Sequence, residues 1–271
     1  MTESPSALKA VVFDWAGTIV DHGSRAPMGA FVKVFAEFGV AITIDEARGP
    51  MGLPKWDHIH ALLNAPAIAA RWTAARGTAP TRADVDAIYA VFVPLNARVV
   101  TDYADMIPGA VETVAAIRAR GLKIGSTTGY TREIMAPLLP IAAAAGYAPD
   151  NLVCAGDLAA GRPTPLMMYR TFLDLGVFPA HGVVKVDDTE PGIAEGLAAG
   201  TWTVGVAVSG NAMGLSRDEV AALSPQDFAA RRAAAYATLR RAGAHVVIDS
   251  VADLLPVLDD IEGRLLRGER P

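Results

Sequence analysis

Short apolar runs, each ending on a polar residue, alternate along this chain with helical stretches. Ala10-Val11-Val12-Phe13 ends at Asp14, residues 123–128 end at Gly129, and Val183-Val184-Lys185-Val186 ends at Asp187-Asp188. Residues 151–154, 202–208 and 245–248 complete the set of candidate strands. Between them, residues 110–120, 132–145 and 192–199 carry helical patterns. Strands this apolar need cover on both faces, and helices between consecutive strands supply it. Right-handed crossovers then give an α/β fold, a doubly wound parallel-sheet (Rossmann-like) core.

One interval breaks the alternation. From about residue 26 to residue 100 no strand pattern occurs, and residues 30–38, 56–63, 68–76 and 83–99 read as helices. This predicts a helical cap domain at residues 22–100, inserted into a core of residues 1–21 and 101–271. Its hinges fall near residues 21–24 and 100–107. The segment 209–239 is assigned to helices.

With 271 residues, 52% of them hydrophobic, the chain can bury a substantial core in either a single domain or a core with an insert. A net charge of −5 without a long basic run argues against a nucleic-acid partner. Cys154 is the single cysteine, which excludes an intramolecular disulfide, and it reads as a small buried apolar residue. The polar start, residues 1–7, and the short apolar run after it fit neither a signal peptide nor a membrane span. The expectation is a cytoplasmic protein without a membrane partner.

In a doubly wound sheet, ligands bind at the carboxyl ends of the strands. Asp14, Thr128, Asp187 and Asp188 all fall there. One such residue alone could equally cap a helix or sit in a turn, but several converging on one edge point to a site. An aspartate can attack phosphorus and form an aspartyl phosphate. Another can help bind a hard cation such as Mg2+. Thr128 and nearby amides suit phosphoryl oxygens, and Arg162 and Lys185 are the candidate cations.

Taken in order, Phe13-Asp14-Trp15-Ala16-Gly17-Thr18, Thr128-Gly129, Gly161-Arg162-Pro163-Thr164-Pro165 and Asp187-Asp188 resemble the four motifs of the haloacid-dehalogenase superfamily. The resemblance implies Asp14 as nucleophile, Thr128, Gly129 and Arg162 as phosphate-binding residues, and Mg2+ as cofactor. It implies that Asp14, the Ala16 backbone carbonyl and Asp188 hold the metal. Most phosphatases of the superfamily carry a second aspartate two residues after the nucleophile, as general acid on the leaving oxygen. Here that residue is Ala16, although proton transfer of this kind is worth roughly 100- to 10,000-fold in rate.

The cap offers a different way to stabilise a leaving group. Pro50-Met51-Gly52-Leu53-Pro54-Lys55-Trp56-Asp57-His58 resembles the cap signature of the phosphonoacetaldehyde hydrolase (phosphonatase) family, and the runs Asp14-Trp15-Ala16-Gly17-Thr18 and Gly125-Ser126-Thr127-Thr128-Gly129-Tyr130-Thr131-Arg132-Glu133 also resemble that family closely. That resemblance covers nearly the whole chain. It implies hydrolysis of the carbon–phosphorus bond of phosphonoacetaldehyde to acetaldehyde and phosphate, with Lys55 forming a Schiff base and Asp14 taking the phosphoryl group. It also implies a homodimer. A lone lysine is ordinarily a solvated surface residue, and the matched signature is what singles out Lys55. Its amine must be neutral to attack, which calls for desolvation or nearby positive charge.

His58 is a candidate proton shuttle or an ordinary helix histidine, Met51 shapes the pocket or packs, Gly52 permits close backbone approach or a turn, and Tyr130 contacts substrate or packs beneath it. One departure concerns the metal site. Some family members have Gly-Asp-Thr and a further acid four residues after the aspartate, where this chain has Asp187-Asp188-Thr189-Glu190-Pro191-Gly192. Either Asp187 compensates for the acid missing at Gly192, or it only bonds the backbone. Two rival readings remain at this level: a phosphate-ester phosphatase or phosphomutase of the same superfamily, and a non-catalytic module that binds a phosphorylated ligand.

Overall fold

A computed structural model describes residues 6–271. Met1 to Pro5, most of the polar stretch on which the absence of a signal peptide was argued, lie outside them. β1 (Ala10–Phe13) is followed by five consecutive helices: α1 (Ala26–Glu37), α2 (Ile44–Arg48), α3 (Lys55–Asn64), α4 (Pro66–Arg76) and α5 (Arg82–Val99). Then come α6 (Ala110–Ala119), β2 (Lys123–Thr128), α7 (Arg132–Ala144), β3 (Val153–Cys154), α8 (Leu166–Leu175), β4 (Val183–Asp187), α9 (Glu190–Ala198) and β5 (Trp202–Val206). α10 (Arg217–Ala221), α11 (Pro225–Arg241), β6 (Val246–Ile248) and α12 (Leu254–Leu266) complete the chain.

The strands form one six-stranded sheet in the order β3-β2-β1-β4-β5-β6, with every pair parallel. This is the doubly wound α/β sheet expected from the alternation. β1 lies centrally, and all four of its residues are buried. Register places Phe13 beside Ser126 of β2 and Val186 of β4. Asp14, just beyond Phe13, and Thr128 and Asp187, the last residues of β2 and β4, therefore lie along one edge of the sheet.

Three strands are shorter than the apolar runs suggest, and polar bonds explain two of them. After Val206, the amides of Val208 and Ser209 both donate to the Asp249 carbonyl, which turns the chain off the sheet. β3 begins at Val153 because Asn151 meets its neighbours through its side chain, accepting from the Ser126 amide and donating to Asp174. β6 starts at Val246, one residue after the run begins.

α1 starts earlier than expected because the Asp21 carboxylate accepts from the amides of Arg25 and Ala26, at 2.9 and 2.8 Å. Those first-turn amides have no partner within the helix. The short α2 escaped the pattern, although Thr43 and Glu46 form a reciprocal capping box at its start. Phe31 of α1 stacks between Phe92 of α5 and His58 of α3, with ring centroids 4.2 and 4.1 Å away. Burying one such ring stabilises by roughly 1.5–3 kcal/mol. The segment 209–239 resolves into a loop, α10 and α11. Among the described residues, no helix is long and apolar enough to cross a membrane.

Candidate active site

A line of buried charges crosses the carboxyl edge of the sheet. Asp14 follows β1, Asp187 ends β4 and Asp188 follows it; all three are buried. One oxygen from each lies within 4.8 Å of the others. The Arg162 guanidinium, on the loop before α8, binds this edge. Its Nη2 lies 2.9 Å from Asp14 Oδ1 and 3.1 Å from Asp187 Oδ2, and also donates to the Thr127 carbonyl at 2.7 Å. Its Nε donates to Glu195 Oε2 at 3.1 Å. Lys185 of β4 pairs with Asp187 at 3.0 Å and Glu195 at 3.3 Å, and donates to Thr127 Oγ1 at 2.7 Å.

Those contacts separate the two candidate cations. Arg162 lines the cavity beside Asp14, whereas Lys185 lies beneath, wholly enclosed by Asp187, Glu195 and Thr127. Glu195 gave no signal in the sequence. It sits in α9, and only the fold shows that this helix turns it inward between the two cations.

Burial acts on the three aspartates in different ways. It raises the Asp14 carboxyl to about 6, helped by Asp187 and opposed by Arg162 and Lys185. Burial, with repulsion from Asp14 and Asp187, pushes Asp188 well above the ordinary carboxylate range. Burial would raise Asp187 too, but Arg162 and Lys185 outweigh it and hold its carboxyl below the ordinary value.

A hard cation fits here. Asp188 Oδ2 accepts from the Asn211 amide at 2.7 Å, while its Oδ1 is buried with no hydrogen-bond partner. A buried carboxylate oxygen left bare is costly, and an oxygen-binding cation among three clustered carboxylates would satisfy it. Ala16 lines the same cavity. Gly192, where some relatives in the resemblance place their second acid, has no room for a side chain. A Cβ there would stand 2.0 Å from Asp187 Cγ and Oδ2. The Asp187 carboxylate thus occupies the volume into which a residue 192 side chain would grow.

The helical segment supplies the opposite wall. Lys55, the first residue of α3, is buried, with Nζ 3.9 Å from Met51 Sδ and 5.1 Å from the Tyr130 ring centroid. Desolvation lowers its amine to about 8, against the opposing pull of Asp14. Gly52 has φ +92°, and a Cβ on it would meet Thr189 Oγ1 at 2.3 Å, so both a turn and a close approach require glycine. Gly129 faces the Leu53 and Gly52 carbonyls in the same way, at 3.0 and 3.2 Å from its would-be Cβ. Thr128 Oγ1 accepts from the Tyr130 amide at 3.1 Å. Tyr130 is buried, and its hydroxyl has no partner.

His58 stands apart from the cavity. Its Nε2 is 2.8 Å from the Ala47 carbonyl, its ring stacks on Phe31, and Nδ1 is buried without a partner. Burial, and then Lys55, hold its pKa well below the usual histidine value. The structure therefore brings Asp14, Ala16, Met51, Gly52, Lys55, Thr128, Gly129, Tyr130, Arg162 and Asp188 together, and sets His58 behind them. Ser24 and Thr189 also line the cavity and were not anticipated. Ser24 has φ +50° beside the expected hinge, a conformation that sequence pattern does not reveal. The cavity measures about 20 Å3, little more than one water needs. Cys154 is buried, and desolvation pushes its thiol up to about 12, which leaves it unreactive.

The family model described as haloacid dehalogenase-like hydrolase matches residues 8–200. A phosphonoacetaldehyde hydrolase of Paraburkholderia xenovorans is 60% identical over 264 residues, covering 97% of this chain and 99% of that one. One from Klebsiella pneumoniae is 52% identical over 266 residues, covering 97% and 99%. The crystal structure of a phosphonoacetaldehyde hydrolase like protein from Oleispira antarctica superposes with a TM-score of 0.97 at 43% identity over the whole of both chains.

Proposed function

The chain belongs to the haloacid dehalogenase-like hydrolases and, among them, to the phosphonoacetaldehyde hydrolase family; from that membership we propose that it hydrolyses the carbon–phosphorus bond of phosphonoacetaldehyde to acetaldehyde and phosphate. The observation that carries the mechanism is a buried lysine with a lowered pKa, Lys55, lining the same cavity as Asp14.

A carbanion is a poor leaving group, so the electrons of the breaking carbon–phosphorus bond need a sink. Lys55 Nζ adds to the aldehyde carbon and water leaves, giving a protonated imine. The bond electrons then flow into that imine as Asp14 bonds to phosphorus, and the carbon departs as an enamine. Water hydrolyses the aspartyl phosphate. Protonation and hydrolysis of the enamine release acetaldehyde and return Lys55. One water is consumed overall. Ala16 supplies no acid, and none is needed where the leaving atom is carbon.

Arg162, Thr128 and the Gly129 amide are placed to hold the phosphoryl oxygens. Asp14, Asp188 and the Ala16 carbonyl would hold Mg2+, which would neutralise charge so that a carboxylate can approach an anionic phosphonate. Asp187 keeps Arg162 in place beside it. His58, bonded through Nε2 to the Ala47 carbonyl and stacked on Phe31, stands behind the cavity and buttresses the helix that carries Lys55. We read residues 22–100 as a cap whose opening admits substrate, since the closed cavity is too small for it. A homodimer, which rests on the resemblance, completes the proposal.

Borohydride reduction in the presence of phosphonoacetaldehyde, followed by peptide mass mapping, tests the central step. A two-carbon adduct on Lys55 is expected. Absence of any adduct, with full activity in Lys55→Arg, overturns it.

A further inference from the structure

Arg48, the last residue of α2, ties three segments together. Its Nη1 donates to the Gly23 carbonyl at 2.8 Å and to Asn211 Oδ1 at 3.1 Å, and its Nη2 donates to the Gly214 carbonyl at 3.1 Å. Gly23 lies at the expected hinge, and Asn211 and Gly214 lie on the loop after β5. All three acceptors are neutral oxygens, and the planar guanidinium fork can reach them at once where an ammonium could not. Gly214 has φ +68°, and a Cβ on it would stand 2.9 Å from the Arg48 guanidinium, so this loop is shaped to receive it.

The gripped loop is also the one that seats Asp188. The Asn211 amide donates to Asp188 Oδ2 at 2.7 Å, and a Cβ on Gly210 would meet Asp188 Cβ at 2.5 Å. Ser209 Oγ bonds the Gly17 carbonyl at 3.0 Å, and the Ser209 carbonyl accepts from the Gly23 amide at 2.7 Å. At its other end Arg48 supports the cap side of the site. Its carbonyl accepts from the Met51 amide at 3.1 Å, at the start of the turn that lays Gly52 on Thr189 and leads into Lys55. The neighbouring Ala47 carbonyl holds His58.

We propose that Arg48 is a positioning residue that clasps the helical segment to the hinge and to the loop holding Asp188, so that enclosure of Lys55 and seating of the Asp188 carboxylate occur together. The inference rests on reading residues 22–100 as a cap. Coupling of this kind is reciprocal: a cation at Asp188 favours the enclosed state of Lys55, and enclosure favours the cation.

The test reads enclosure directly. Lys55 in the intact protein is labelled with a small amine-reactive reagent, with and without Mg2+, and its modification rate is followed by peptide mass mapping. In the unaltered protein, Mg2+ slows Lys55 labelling. In Arg48→Met, Lys55 labels about tenfold faster and the response to Mg2+ is lost, while Arg48→Lys restores only part of the protection. Asn211→Ala, which keeps the amide bond to Asp188 but removes one acceptor of the clasp, gives an intermediate rate. Circular dichroism and the labelling of exposed Lys33 and Lys123 report whether each variant is folded, and Asn211→Ala carries the test should Arg48→Met unfold. Protection of Lys55 and its Mg2+ response unchanged in a folded variant overturns the proposal. Labelling needs no turnover, so this outcome is separate from failure of the borohydride trap.

Discussion

Arg162 Nη2 lies 2.9 Å from Asp14 Oδ1, so the arginine proposed to hold the phosphoryl group also restrains the proposed nucleophile. The same guanidinium also pairs with Asp187 and Glu195, which it shares with Lys185. Removing one partner of a buried ion pair leaves uncompensated charge, at a cost of about 3–5 kcal/mol. Arg162→Met should lower unfolding stability in urea by that order and abolish phosphate release. Arg162→Lys should recover part of the stability. Unchanged stability in Arg162→Met would show that the carboxylates find other partners.

Lys55 titrates near 8 in the folded protein, against 10.5 for an ordinary lysine. Imine formation needs the free amine, so borohydride trapping should rise with pH and level off above about 8. The unfolded chain binds more protons than the folded one between about 8 and 10.5, so Lys55 makes the folded state more stable as pH rises through that window. Lys55→Met should flatten this part of the stability profile measured by denaturant titration. A trapping rate that keeps climbing to pH 10.5 contradicts the desolvated amine.

The proposed mechanism assigns Asp14 and Lys55 to separate covalent steps. Asp14→Ala should abolish phosphate release while borohydride still traps the two-carbon unit on Lys55. Phosphate release surviving in Asp14→Ala removes it as nucleophile.

Metal removal has a pH signature. Asp14 is raised to about 6, and a carboxyl raised above its unfolded value makes the folded state less stable as pH climbs from about 4 to 6. Asp188 shifts in the same direction. A bound cation relieves that repulsion, so the increase in Tm caused by Mg2+ should be larger at pH 7 than at pH 4.5. Excess EDTA should stop turnover, and Asp188→Asn should remove both effects. Full activity in EDTA excludes the metal role.

Much of this site was legible because its residues occupy strand ends. Asp14, Thr128 and Asp188 needed only the apolar runs before them, and the parallel register carried them to one edge. Lys55 had no such marker. A lysine opening a helix looks solvated, and only the resemblance set it apart; the fold shows Met51 and Tyr130 around it. Glu195, Ser24 and Arg48 stayed hidden because their roles arise from long-range packing. Arg48 meets Gly214 across 166 residues, and no local pattern encodes that. The α12 stripe of Leu254, Leu258, Ile261 and Leu265 was legible as a helix and went unread.

The clash between residue 192 and Asp187 also limits which residues position 192 can accept. With Asp187 locked by Arg162, Lys185 and Thr189, a second side chain at 192 has nowhere to go. A side chain at 192 fits only if the Asp187 carboxylate gives up its bonds to Arg162, Lys185 and Thr189, so the carboxylate that completes the charge network also dictates glycine at the residue facing it.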